Sequence, residues 1–135
     1  MSDVIQVSAG ILVRNPLVLA CQRGPGGSHA NRWEFPGGKA EVGETAAQCL
    51  RRELEEELGI EATIGAEVWR TLHRYPDRAA LELTFFRVDE FRGEPVNRIF
   101  SDMRWMVVEA LVRLDFLDAD RELIVRLPEL LARRE

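Results

Sequence analysis

Gly37–Ile60 reads GGKAEVGETAAQCLRRELEEELGI and sets Glu53, Glu55, Glu56 and Glu57 close together, behind Arg51 and Arg52 and just ahead of Gly59. The stretch carries the start and stop of a helix. Thr45 with Gln48 three residues on is a capping box, which satisfies amides that a first helical turn leaves unpaired. Gly59 supplies the usual stop. On a wheel of about 100° per residue with Glu53 as origin, Glu56 falls at about 300° and Glu57 at about 40°, so the three share a stripe about 100° wide. Ala47, Leu50, Leu54 and Leu58 lie between about 60° and about 140°, the apolar side that faces a core, while Glu55 at about 200° faces solvent. Like charges at these spacings cost a helix roughly 0.2–0.5 kcal/mol per pair. Such a stripe is either a solvated face relieved by Arg51 and Arg52 or a place that holds cations. Cys49 falls on the carboxylate side and reads as a small hydrophobe rather than a ligand.

Outward from this helix the chain alternates between strands and turns. Val4–Val13 and Leu17–Ala20 are β-rich runs split by the turn signal Asn15-Pro16. Gly24–Ser28 is loop, and Trp33–Phe35 is a short apolar patch ending at Pro36-Gly37-Gly38. Beyond the helix, Ala62–Leu72, Ala79–Val88 and Arg104–Val108 read as strands. Trp69, Phe85, Phe86 and Trp105 on these strands read as core. From about Ala119 to Ala132, Leu123, Ile124, Leu127, Leu130 and Leu131 repeat at helical spacing, with Pro128 expected to kink or shorten the helix. Strands around a central helix, with a closing helix, predict a three-layer α/β domain about a mixed sheet.

The 135 residues suit one domain, 1–135, able to bury a core without staples. Hydrophobic residues at 46% and charged residues at 30% describe an ordinary globular protein rather than a disordered or fibrous one. Cys21 and Cys49 make neither a disulfide framework nor a metal knuckle, so a reducing, cytoplasmic setting is expected. No signal peptide and no membrane span is expected. The net charge of -5 argues against a grip on long nucleic acid, which needs a basic footprint, but leaves room for a nucleotide whose phosphates are masked by a divalent metal.

The spacing Gly38, five residues, Glu44, seven residues, then Arg52-Glu53-Leu54-x-Glu56-Glu57-x-Gly59-Ile60 resembles the Nudix box at every defining position. The resemblance implies a Nudix-type α/β/α sandwich around a mixed β-sheet and hydrolysis of a nucleoside diphosphate linked to another group. Magnesium prefers hard oxygen ligands in octahedral geometry and keeps waters that substrate phosphates can replace. The resemblance therefore implies Mg2+, or Mn2+ in its place, on Glu53, Glu56 and Glu57, with the carbonyl of Gly37 or Gly38 completing the shell. Glu53 is the candidate base for a metal-polarised water. Arg52 is expected to position carboxylates, and Glu44 to tie the loop to the helix.

Asn31–Lys39, Tyr75–Arg78, Gly93–Pro95 and Phe116–Asp120 look like the MutT branch of that family, which releases a nucleoside monophosphate and pyrophosphate from a triphosphate such as 8-oxo-dGTP. Carried over, Arg23 contacts phosphate, and His29, Glu34, Phe35, Lys39 and Asp120 contact the substrate. One departure stands out. A further glutamate often follows Gly-Glu-Pro in this branch, and here Ile99 occupies its place; either Asp102 substitutes or the box carries the metals alone. An ionised Asp120 would only accept hydrogen bonds, which suits the two adjacent donors on the Watson–Crick edge of guanine. Other readings stay open: a (d)CTP-type substrate, an RNA 5′ end, a dinucleoside polyphosphate, a nucleotide sugar, or a non-catalytic nucleotide sensor. No membrane partner is implied, and the assembly is expected to be a monomer or homodimer.

Overall fold

The computed structural model describes residues 4–133. Strand β1 (Val4–Arg14) is its axis. On one side β1 runs parallel to β7 (Ala80–Val88), in register from Val4↔Ala80 to Leu12↔Val88. Its other side meets β4 (Gly37–Lys39) through Val7–Ala9 and β2 (Leu17–Gln22) through Val13 and Arg14, both antiparallel. The sheet is completed by β3 (Trp33–Glu34) and β9 (Asp102–Val107) on β2 and by β6 (Glu67–His73) on β7.

Side chains alternate across this sheet and so define two cores. Ile11 and Val13, Val18 and Ala20, and Leu83 and Phe85 face helix α2 (Arg121–Ala132) with its Leu123, Ile124 and Leu127. Leu12, Leu19, Cys21 and Val88 face helix α1 (Ala46–Leu58) with its Leu50, Leu54 and Leu58. The result is the α/β/α sandwich. α1 is capped as its sequence dictates: the Thr45 side chain accepts from the Gln48 N–H at 3.1 Å while the Gln48 side chain accepts from the Thr45 N–H at 2.9 Å. Ser8, buried on β1, donates to the Ala46 carbonyl at 2.8 Å and fixes the start of α1 over the β1–β4 junction.

Two details differ from the sequence reading. The run Ala62–Leu72 is not one strand. β5 (Glu61–Thr63) pairs with β8 (Glu90–Arg92) in a separate two-stranded sheet, and the chain crosses to β6 where the Gly65 N–H donates to the Arg87 carbonyl. A hydrophobic run does not reveal a change of sheet. Pro128 does not shorten α2, which continues to Ala132. There the Arg87 guanidinium donates to the Leu131 carbonyl at 2.8 Å and fixes the helix end.

Candidate active site

A cleft of about 420 Å³ opens between α1, the parallel pair β1–β7 and the start of α2. Gly37, Gly38, Lys39 and Glu57 line it together with Arg23, Glu34, Phe35 and Asp120. His29, Tyr75, Arg78 and Ile99 also border it. The sequence alone did not assign Tyr75, Arg78 and Ile99 to substrate. The turn Tyr75–Arg78 joins β6 to β7 and so arrives beside β1 only through the parallel pairing.

Glu53 and Glu57 project from α1 toward the β4 backbone. Glu57 accepts from the Gly37 N–H at 3.3 Å. The Glu53 carboxylate lies over Gly38 so closely that a Cβ there would sit 2.6 and 2.7 Å from its two oxygens. Only glycine leaves that room. Burial pushes the Glu57 carboxyl up from its ordinary range, and the charge of Glu53 together with the hydrogen bond between the two acids adds to this. Two acids pressed together in a half-buried place favour either a shared proton or a cation.

Arg52 is the hub of the remaining acids. It donates to the two Glu44 oxygens at 2.7 and 3.0 Å, to Glu53 at 3.0 Å, to Glu56 at 3.4 Å and to the Lys39 carbonyl at 3.1 Å. Glu44 also accepts from the Glu41 N–H, and with Arg52 this holds its carboxyl down at about 2. Glu56 is exposed and leans on Arg52. Among the described residues no three histidine, cysteine or acidic side chains converge as a ready metal cage. Glu53 and Glu57 meet, and Glu56 shares an Arg52 nitrogen with Glu53. The donor set nonetheless fits a hard divalent ion, with carboxylate oxygens from one helix face beside the carbonyls of a glycine pair. Cys49, buried under this group, donates its thiol to the Gly38 carbonyl at 3.3 Å and acts as packing.

Asp120, in the same lining, is placed by a zipper of backbone bonds. The Trp33 N–H donates to the Asp115 carbonyl and the Leu117 N–H donates to the Trp33 carbonyl, both at 2.9 Å. Arg32 holds the same segment through Asp118 at 2.9 Å. Asp120 is 2% exposed, and burial, with the charge of Glu34 as a second cause, pushes its carboxyl up to about 8. Low-dielectric surroundings thus favour its neutral form over the ionised, acceptor-only form considered from the sequence. Glu34 is raised by burial too, opposed by Arg23, which donates to it at 3.2 Å. Phe35 packs against Phe85 and Phe116 with ring centroids 6.2 and 5.1 Å apart, so it is at once core and cleft floor. His29 has a positive φ of 62° and lies 6.0 Å from the Tyr75 ring.

Asp102, like Glu53 and Glu56, is not in the cleft lining; its carboxylate accepts from the Met103 N–H at 2.8 Å and from Arg104 at 3.0 Å at the head of β9. Ile99 takes the place at the mouth.

Comparison with known proteins agrees with this architecture. The NUDIX domain family matches residues 4–127. The chain belongs to the Nudix family. It is 42% identical over 127 residues to an 8-oxo-dGTP diphosphatase of Haemophilus influenzae, covering 92% of this chain and 91% of that protein. It is 35% identical over 121 residues to a CTP pyrophosphohydrolase of Escherichia coli, covering 90% and 89%. The solution structure of the E. coli ORF135 protein superposes with a TM-score of 0.88 at 34% identity, covering 98% of this chain and 94% of that one. As a Nudix protein of the MutT-like branch, it is a hydrolase acting on phosphoanhydride bonds, in a family that is generally dependent on divalent metal. No helix among the described residues is long and apolar enough to cross a membrane.

Proposed function

We propose that the chain hydrolyses nucleoside triphosphates to a monophosphate and pyrophosphate, with Mg2+ as cofactor and an oxidised guanine nucleotide, 8-oxo-dGTP, as the leading substrate. The observation that carries the reading is the cleft itself, which brings Glu57, the Gly37–Gly38 pair under Glu53 and the buried Asp120 into one place. A volume of about 420 Å³ suits a nucleoside.

A protonated carboxyl presents one donor beside one acceptor. The Hoogsteen edge of 8-oxo-guanine offers the complement, an N7–H donor beside the O6 acceptor. Unmodified guanine offers two acceptors on that edge, which do not fit, but its Watson–Crick edge sets the O6 acceptor beside the N1–H donor, which does. A protonated Asp120 therefore pairs with guanine through one edge and with 8-oxo-guanine through either, and the choice of the oxidised nucleotide rests on the 8-oxo-dGTP diphosphatases among the relatives. Arg23 and Lys39, with the Gly37–Gly38 backbone, are assigned to the phosphates. Glu53, held by Arg52 beside Glu57, is assigned to proton abstraction from the attacking water, and Glu56 and Glu57 to metal. When bound, the ion would polarise that water and neutralise phosphate oxygens.

Cytosine also presents a donor beside an acceptor, N4–H and N3, so (d)CTP is the second reading, supported by the CTP pyrophosphohydrolase among the relatives. The test is pyrophosphate release over 8-oxo-dGTP, dGTP, dCTP and dATP, with Mg2+, with Mn2+ and with chelator. Release of pyrophosphate from none of the four with either metal would sink the assignment.

A further inference from the structure

The loop between β8 and β9, residues 93–101, is fastened to the end of α1 that carries Glu56 and Glu57. The Arg98 guanidinium donates to the Glu55 carbonyl at 3.1 Å and reaches the Glu56 carbonyl at 3.5 Å. The Val96 N–H donates to the Leu58 carbonyl at 2.8 Å. The Glu55 carbonyl already accepts from the Gly59 N–H at 3.0 Å, so Arg98 is its second donor, and the last carbonyls together form the negative end of the helix dipole. The last turn of α1 contains no basic residue, so Arg98, from another segment, supplies the charge. Gly59 makes room for it. Besides its left-handed φ of 69°, a Cβ there would lie 2.7 Å from an Arg98 nitrogen.

The loop is itself braced. Asn97 donates to the Phe100 carbonyl and accepts from the Phe100 N–H, both at 2.8 Å. Phe100 packs into the α1 side of the core. Arg98 is therefore presented by a closed turn with an apolar anchor, and it is shaped to grip a helix end rather than to wave in solvent.

We propose that Arg98 is a positioning residue for the glutamate helix: it holds the final turn of α1 so that Glu57 stays against the Gly37 N–H and Glu56 stays within reach of the same ion. Without it the last turn frays, as helix ends do when their carbonyls lose partners, and the carboxylates spread. The inference rests on the functional reading only in taking Glu56 and Glu57 as metal ligands.

The probe is Mn2+ alone, titrated without nucleotide into the whole chain and followed by electron paramagnetic resonance. Arg98→Ala is expected to weaken Mn2+ binding about 10-fold, the scale seen when a residue that orients a metal ligand is removed. The metal concentration for half-maximal turnover should rise in parallel, while kcat at saturating metal stays near the parent value. Arg98→Lys keeps the charge with a smaller donor set, and should lie between the two. It also serves as the readout if the alanine variant does not fold. Equal Mn2+ affinity in the parent chain and in both variants overturns the proposal, as does a parent chain that binds no Mn2+. A parent chain that binds Mn2+ but turns over no nucleotide sinks the hydrolase assignment instead. The Arg98 comparison then still decides this one.

Discussion

Arg52 grips Glu44 with two parallel hydrogen bonds, 2.7 Å from Nε and 3.0 Å from Nη2, and its remaining nitrogen faces Glu53 at 3.0 Å. One planar guanidinium thus orients the acid on the loop and the acid on the helix together. A lysine has no such fork. Arg52→Lys is expected to lower kcat about 10- to 100-fold with the fold retained, the scale for losing a group that orients metal ligands. Circular dichroism and steady-state kinetics check both halves, and near-parental kcat would remove Arg52 from the site.

The same pair sets an acid limit. Glu44 is held down at about 2 in the folded chain against an ordinary 4.5. The folded state therefore binds fewer protons than the unfolded one in this window, and the contribution of the pair is lost as pH falls from about 4.5 toward about 2. Urea midpoints measured across this range should fall more steeply in the parent than in Glu44→Gln. Parallel curves would mean that the pair contributes nothing to stability.

Glu56 and Glu57 divide from Glu55 by the face of α1 they occupy. Replacing Glu57 with Gln keeps its size and removes its charge, and should cost about 100-fold or more in turnover at limiting magnesium. Glu56→Gln should act in the same direction. Glu55→Gln, on the solvent side, is the control and should change little. Near-normal activity of Glu57→Gln at low magnesium would falsify the metal assignment.

Much of this was legible in the sequence because it is local. The cap at Thr45, the stop at Gly59 and the stripe of Glu53, Glu56 and Glu57 all lie on one helix, where spacing fixes direction. The two cores were legible too, since Ile11 and Leu12 alternate by simple strand geometry. What was not legible depends on charge and distance. Nothing in the one-dimensional pattern reveals that one Arg52 nitrogen serves both Glu53 and Glu56, that Arg98 reaches a helix end more than forty residues upstream, or that burial beside Glu34 raises the Asp120 carboxyl. The three-residue strands β5 and β8 are too short to show a period.

Ile99 borders the cleft and Asp102 does not. The Asp102 carboxylate is occupied by Arg104 and the Met103 amide, so Asp102→Asn should leave both kcat/KM and the magnesium requirement unchanged. Ile99, 60% exposed at the cleft mouth, is expected to cover bound nucleotide, and Ile99→Ala should raise KM with little effect on kcat. A raised magnesium requirement in Asp102→Asn would return that residue to the site.

The proton on Asp120 makes base selection depend on pH. With its carboxyl raised to about 8 against an ordinary 3.8, the folded chain holds a proton that the unfolded chain releases. Its stabilising effect is full below about 3.8 and is lost as pH rises through about 8. Through the same upper range the side chain changes from donor-plus-acceptor to acceptor only. Pairing with dCTP, which needs a donor on Asp120, should therefore be strong at pH 6 to 7 and weaken above about 8, while dGTP and 8-oxo-dGTP keep two adjacent donors for the ionised form. Leaving a buried hydrogen-bonding group unpaired costs about 1–3 kcal/mol, or roughly 5- to 150-fold in kcat/KM. Asp120→Asn keeps a donor beside an acceptor and cannot titrate, so it should retain the pairing and flatten its pH dependence. Asp120→Ala should lose the pairing altogether. If discrimination among the three triphosphates in Asp120→Ala equals that of the parent at pH 7, Asp120 does not read the base.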